Sequence, residues 1–286
     1  MTDPTNAANI PGKGRFYTHP QTGESWPSVT NILSTAVAKP QLVAWSAKAT
    51  AEAAWQALPQ MVRHSRTADT DCAKRRAADR CGDCRFCLTS AIKKAHMDAR
   101  DKAADLGTRV HDRAEAMVLG KPLPDDDEVE PFVRALLQFW HDFGIDPTTD
   151  FEATEMTVIN RRVGYAGTLD AIMRLNGQLA LVDYKTSSTR PATSVYPEHG
   201  MQLAALANAE HALLDDGTEA DIPPVDAAYI LNLRADTYAL IPMPLAGTLS
   251  DAFAGFVGAL RTTTYLHACH GAKPQPITPP SRKAAA

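Results

Sequence analysis

Three residues in the second half of the chain carry the chemistry easiest to name. Asp170 closes the stretch Gly164-Tyr165-Ala166-Gly167-Thr168-Leu169-Asp170, and Asp183 and Lys185 stand one residue apart in Leu181-Val182-Asp183-Tyr184-Lys185-Thr186. Side chains alternate faces along a strand, so Asp183 and Lys185 project from the same side of a sheet. Two carboxylates can hold a hard divalent cation through oxygen. Such a cation polarises a phosphodiester and lowers the pKa of bound water, while a lysine orients that water or offsets charge in the transition state.

The elements that must position these groups follow from periodicity. Residues 151–159, 165–175 and 178–184 alternate and are rich in β-branched types, which predicts three strands. Asn176-Gly177 between the last two is a tight-turn signal, so Asp170 and Asp183 are expected on paired antiparallel strands. Helices are predicted over 41–58, 91–119, 129–143, 202–214 and 249–267, with a short one capped by Ser28 or Thr30, and a further strand pair over 227–233 and 237–241. In the helix over 129–143, Val133, Leu136, Leu137 and Trp140 are the expected core positions. Residues 1–13 read as disordered and the tail after Gly271 as mobile. The fold class is α/β (α+β), a mixed sheet flanked by helices, with a mainly helical part over 14–145, a core over 146–270 and a tail over 271–286.

Asp170 followed by Asp183-Tyr184-Lys185-Thr186 resembles the PD-(D/E)XK nuclease superfamily, in particular its RecB-like branch, which includes CRISPR-associated exonucleases. Gly107-Thr108-Arg109-Val110-His111 looks like the branch's upstream helix, whose histidine ligates metal. Glu155 stands where relatives often carry an acid, and Gln202 where they carry the Gln of a Gln-x-x-x-Tyr helix, although Leu206 replaces the tyrosine here. The likeness covers roughly residues 100–240. It implies a restriction-endonuclease-like core and a metal site of His111, Asp170, Asp183 and the Tyr184 carbonyl, holding Mg²⁺ or Mn²⁺, with Lys185 and Gln202 completing the catalytic set. Glu155 is divided between a metal role and an ordinary solvated strand acid. The implied activity is metal-dependent hydrolysis of DNA, by an exonuclease rather than an endonuclease, in recombination, repair or phage DNA metabolism, beside a helicase or recombinase. The alternative is a non-catalytic DNA-binding recombination accessory protein.

The whole chain sets looser limits. Its 286 residues are 44% hydrophobic and 22% charged, ordinary for a globular protein. No apolar run approaches the roughly 20 residues that span a bilayer, and Met1 to Gly14 lacks the core of a signal peptide, so a cytoplasmic location without membrane partners is expected. A net charge of −4 argues mildly against a nucleic-acid binder unless basic residues line a groove. The groove candidates are Lys74-Arg75-Arg76, Lys93-Lys94, Arg161-Arg162 and Arg190.

Four of the five cysteines, Cys72, Cys81, Cys84 and Cys87, fall in one polar segment over 64–90, and Cys269 stands apart. Clustered cysteines without a secretory signal point to metal more than to disulfides. That segment has little apolar material, so a bound metal would supply its folding energy. Structural zinc is the reading, with a 4Fe-4S cluster as the alternative.

Overall fold

The computed structural model describes residues 6–65 and 84–277. It opens with three antiparallel strands, β1 (Ala7–Ile10), β2 (Gly14–Thr18) and β3 (Ser25–Pro27), paired in that order. The expected disorder over 1–13 is therefore corrected at Ala7–Ile10, whose backbone groups pair with β2 from Ala7 opposite Tyr17 to Ile10 opposite Gly14. Helices α1 (Val29–Ala36), α2 (Pro40–Gln56), α3 (Leu58–Ser65), α4 (Arg85–Val118) and α5 (Glu130–Phe143) follow. Ser28 caps α1, its hydroxyl accepting from the Asn31 N–H at 3.0 Å. Helix α4 begins six residues before its expected start, because Cys84 serves as N-cap and accepts from the Cys87 N–H at 3.4 Å. In α5 the buried stripe is Phe132, Val133, Leu136, Phe139 and Trp140, each contributing about 1.5–3 kcal/mol by burial. Leu137, expected in the core, lies on the exposed side of that stripe.

The remaining elements are β4 (Phe151–Asn160), β5 (Tyr165–Leu175), β6 (Gln178–Thr186), α6 (Pro197–Ala207), β7 (His211–Leu213), β8 (Glu219–Asp221), β9 (Ala227–Leu233), β10 (Tyr238–Met243) and α7 (Leu249–Cys269). Seven strands form a mixed sheet in the order β10-β9-β6-β5-β4-β7-β8, with β6 and β9 parallel and every other pair antiparallel. Asn176 and Gly177 both take positive φ, the backbone that a two-residue hairpin demands. The helix expected over 202–214 divides. Pro197 and the residues before Gln202 already belong to α6, and the chain leaves the helix at Asn208. His211 and Ala212 then pair with Ile159 and Val158 at the edge of β4, where unpaired backbone groups outweigh helix propensity.

Helices cover both faces of the sheet. Ala171, Met173, Ala180, Val182 and Tyr184 pack against α4 and α5 on one face, while Leu169, Ile172 and Leu181 pack against α1, α6 and α7 on the other. Strands buried on both faces read as nearly continuous apolar runs, as β5 and β6 do. Among the described residues, no helix is long and apolar enough to cross a membrane.

Candidate metal centre and its cleft

The acids lie where the pleat of the central sheet is interrupted. Thr154 pairs with Ala171 and Met156 with Leu169, so Glu155 and Asp170 are the facing residues between them, yet the ladder skips them. Glu155 takes a φ of 45°, a left-handed backbone that costs a non-glycine residue about 1–2 kcal/mol. The interruption also changes which face the strand buries: Ala171 belongs to the α4/α5 side and Leu169 to the opposite one. On its other edge β5 pairs with β6 up to Ala171 and Val182. One step further the Tyr184 N–H donates to Asp170 Oδ2 at 2.7 Å, so the carboxylate replaces a backbone partner.

Helix α4 brings the histidine. Gly107, Val110, His111 and Ala114 share one face, with Val110 and Ala114 buried against the sheet. A Cβ on Gly107 would stand 3.1 Å from Thr186 Oγ1, so its absence lets the helix approach the end of β6. His111 Nε2 lies 3.1 Å from the Tyr184 carbonyl, and Nδ1 lies 3.2 Å from Glu155 Oε1 and 3.6 Å from Asp170 Oδ1. A carbonyl only accepts, so Nε2 carries the donated proton and Nδ1 is turned toward the carboxylates. The Tyr184 carbonyl, expected as a metal ligand, accepts from the imidazole with one lone pair and so helps to orient it.

Ligand atoms of His111, Glu155 and Asp170 all lie within 4.8 Å of one another. Glu155 Oε2 is buried and, among the described residues, has no hydrogen-bond partner. A buried carboxylate oxygen left in this state is costly unless something positive meets it. One imidazole nitrogen and two carboxylates form a mixed N/O donor set suited to a divalent cation, so these residues fit a metal. Glu155, divided between a metal role and a solvated strand acid, lies within this group of possible donors.

Asp183 stands beside that group rather than within it. Gln202 Nε2 donates to its Oδ1 at 2.7 Å, and Lys185 Nζ makes an ion pair with its Oδ2. Asp183 and Lys185 do share a face, and α6 supplies the Gln202 contact although the expected tyrosine is replaced. Leu206 packs instead in the apolar cluster on that side, its Cδ2 2.8 Å from where a Cβ on Gly167 would be.

Two residues absent from the sequence-level reading hold the segment after Lys185. Arg234 donates to the carbonyls of Arg190 (2.6 Å), Pro191 (3.0 Å) and Lys185 (3.2 Å), and Asn232 Nδ2 to those of Ala192 (2.7 Å) and Ser194 (3.0 Å). Only their burial at the end of β9, parallel to β6, identifies them.

The electrostatics follow from the crowding of charge. Burial lowers the His111 pKa, but the Asp170 charge and the Glu155 hydrogen bond outweigh it, and the imidazole is pushed up to about 9. Burial pushes Asp170 and Asp183 upward against the opposing pull of His111 and Lys185 respectively. Burial works against the Lys185 ammonium, yet Asp183 and Asp170 hold its pKa above the ordinary lysine value. Lys185 therefore stays charged.

His111, Asp170, Asp183, Lys185 and Gln202 open into a cleft of about 320 Å³, which is also lined by Arg15, Tyr17, Thr30, Lys39 and His199. Among the described residues, the basic groups expected to line a groove do not gather there. Arg161 is held by Glu24 at 3.0 Å and by Glu219, and Arg162 by Glu210 at 3.4 Å, so both serve ion pairs near β3 and β8. Arg190 lies over the Tyr196 ring at 5.5 Å, and Lys93 and Lys94 are exposed on α4. Lys74-Arg75-Arg76, Cys72 and Cys81 lie outside the described residues. Cys84 and the buried Cys87 stand at the head of α4, and Cys269 is exposed at the end of α7.

No family model matches the chain, and no curated protein matches it. Among solved structures it is similar to the protein in "Crystal structure of SSO0001", at 20% identity and a TM-score of 0.28. That similarity covers 47% of this chain and 57% of that one, so the chain spans little more than half of that protein's length.

Proposed function

We propose that the protein is a Mg²⁺- or Mn²⁺-dependent deoxyribonuclease that hydrolyses phosphodiester bonds, acting from DNA ends. One observation supports this reading above the others: His111 and Asp170, which Glu155 joins in one group of possible metal donors, line the same cleft as the Lys185–Asp183 pair. His111, Glu155 and Asp170 would hold a divalent cation, which would supply Lewis-acid polarisation of the phosphodiester and a lowered water pKa. Lys185, kept protonated, is a donor and a counter-charge for the phosphorane-like transition state, and cannot act as the base. Asp183, whose affinity for protons burial raises, is the acceptor at hand for the proton of the attacking water. Gln202 fixes one oxygen of Asp183 so that the other meets Lys185. In this reading Cys72, Cys81, Cys84 and Cys87 form a separate structural metal site.

The test is degradation of end-labelled linear DNA, single- and double-stranded, with Mg²⁺ or Mn²⁺, alongside circular DNA and the Lys185→Ala variant. Metal-dependent loss of label from linear DNA, absent with Lys185→Ala and stopped by chelation, is the expected result. A wild-type protein that binds Mn²⁺ yet leaves every substrate intact refutes the reading and favours a DNA-binding accessory role.

A further inference from the structure

The nuclease reading leaves His199, a titratable group of the cleft next to Asp183 and Lys185 in its lining, without a role. His199 is the third residue of α6, three before Gln202, so the two lie on neighbouring turns of one helix face. Gln202 reaches Asp183 from that face, and His199 lines the same cleft beside Asp183 and Lys185.

Its imidazole is oriented by local bonds. The Tyr196 N–H reaches His199 Nδ1 at 3.4 Å, while the His199 N–H donates to the Tyr196 carbonyl at 3.0 Å. The Tyr196 ring meets the imidazole edge-on, with centroids 5.4 Å apart and planes at 78°. A nitrogen that accepts an N–H carries no proton, so in the neutral ring the proton resides on Nε2. Burial and the nearby Lys185 charge lower the pKa to about 4 against the opposing pull of Asp183, so the ring is neutral at ordinary pH. Among the described residues, Nε2 has no hydrogen-bond partner, and the Asp183 oxygens are engaged by Gln202 and Lys185.

We propose that His199 is a substrate-contacting residue of this site, its Nε2–H donating to a phosphate oxygen of the bound DNA strand. The inference rests on the nuclease reading and deepens it. A neutral donor suits the position: it binds a phosphate oxygen without adding a second positive charge beside Lys185 or opposing a cation at His111. Its direction is set before substrate arrives, so the contact costs little reorganisation.

Asparagine and glutamine separate the two ring nitrogens. In His199→Asn the side-chain oxygen can still accept the Tyr196 N–H, but nothing extends to the Nε2 position. In His199→Gln the amide N–H₂ reaches that position and the cap acceptor is lost. For a hydrogen bond to a charged group, His199→Asn is expected to lower kcat/KM on linear DNA by about 10- to 100-fold with the melting temperature unchanged. His199→Gln is expected to recover most of that rate despite a lower melting temperature. Wild-type kcat/KM in His199→Asn, or equal losses in both variants, would overturn the proposal and leave His199 a helix cap. A second readout needs no turnover. In ¹⁵N-histidine-labelled protein, the Nε2–H signal missing from His199→Asn is expected to shift on adding a phosphorothioate dinucleotide. A shift in protein that hydrolyses no DNA would sink the nuclease reading but keep this contact; an unmoved signal would sink the contact even in an active enzyme.

Discussion

Replacing Glu155 by glycine tests whether the metal site is built at the expense of the fold. Four effects compete when no metal is present. The change relieves the left-handed backbone at φ 45°, about 1–2 kcal/mol, and removes the buried, unpartnered Oε2, about 1–3 kcal/mol. Against these stand the lost bond to His111, about 1.5–3 kcal/mol, and the extra chain entropy of glycine, about 0.5–1 kcal/mol. The opposing pairs are of similar size, so Glu155→Gly should leave metal-free stability within about 1 kcal/mol of wild type. Removing one partner of an ordinary buried ion pair costs about 3–5 kcal/mol, which makes the expectation distinctive. Glu155→Ala keeps the strained backbone and should be less stable than Glu155→Gly by about 0.5–1 kcal/mol, because the Cβ penalty of about 1–2 kcal/mol exceeds glycine's extra chain entropy of about 0.5–1 kcal/mol. Urea unfolding of the three proteins, with and without Mn²⁺, measures every term. At a hundredfold excess over its Kd, Mn²⁺ should stabilise wild type by about 2.7 kcal/mol and neither variant appreciably. A metal-free loss above 3 kcal/mol in Glu155→Gly, or unchanged Mn²⁺ stabilisation, would refute the reasoning.

Other consequences are as open to measurement. His199, lowered to about 4, contributes stability that is complete above pH 6.5 and lost as pH falls toward 4. His111, raised to about 9, contributes stability that is complete below pH 6.5 and lost as pH rises through 9. Each effect is on the order of 3 kcal/mol, so metal-free stability should peak near pH 6.5, and saturating Mn²⁺ should flatten the alkaline limb; a urea midpoint climbing steadily from pH 6.5 to 9 without metal would contradict this. Arg234→Met, which strips the carbonyls of Lys185, Arg190 and Pro191 of their donor, should cost about 2–3 kcal/mol and lower the hydrolytic rate while Mn²⁺ affinity by calorimetry stays unchanged. A rate matching wild type would show that the loop is held without it. Purified protein should contain one zinc per chain by elemental analysis beyond any Mn²⁺ added, whereas iron with acid-labile sulfide would replace that assignment by a 4Fe-4S cluster.

What the sequence made legible is governed by range. The Asn176-Gly177 turn, the strand character of β5 and β6 and the shared face of Asp183 and Lys185 are local properties, and each is present in the structure. Strand order was beyond reach, because β6 finds its parallel neighbour β9 only after α6 and the β7–β8 hairpin. The helix expected through Leu214 failed for a related reason: nothing in an Ala- and Leu-rich run announces that the edge of β4 will take His211 and Ala212. Glu155 was visible as an acid in a strand, but its role depends on a left-handed φ that a glutamate does not advertise. Arg234, Asn232 and His199 had no motif at all; they become apparent only once the loop after Lys185 folds back over β9 and α6.

The interrupted pleat explains why the site sits where it does. A regular strand would send neighbouring side chains alternately toward α4 and α6, and the His111 group and the Lys185 pair would face opposite layers. Because the β4–β5 ladder skips Glu155 and Asp170, Asp170 can accept from the Tyr184 backbone, meet His111 from α4 and still lie close enough to Asp183 to raise that residue's affinity for protons. Three acids then crowd a site offering one ammonium and one imidazole, and His111 must hold a proton to balance them when no cation is present. A divalent ion held by His111, Glu155 and Asp170 would supply the same balancing charge in place of that proton. The strain at Glu155 is therefore best understood as the local cost of joining two faces of the sheet in one cleft, sustained by the apolar layers on either side.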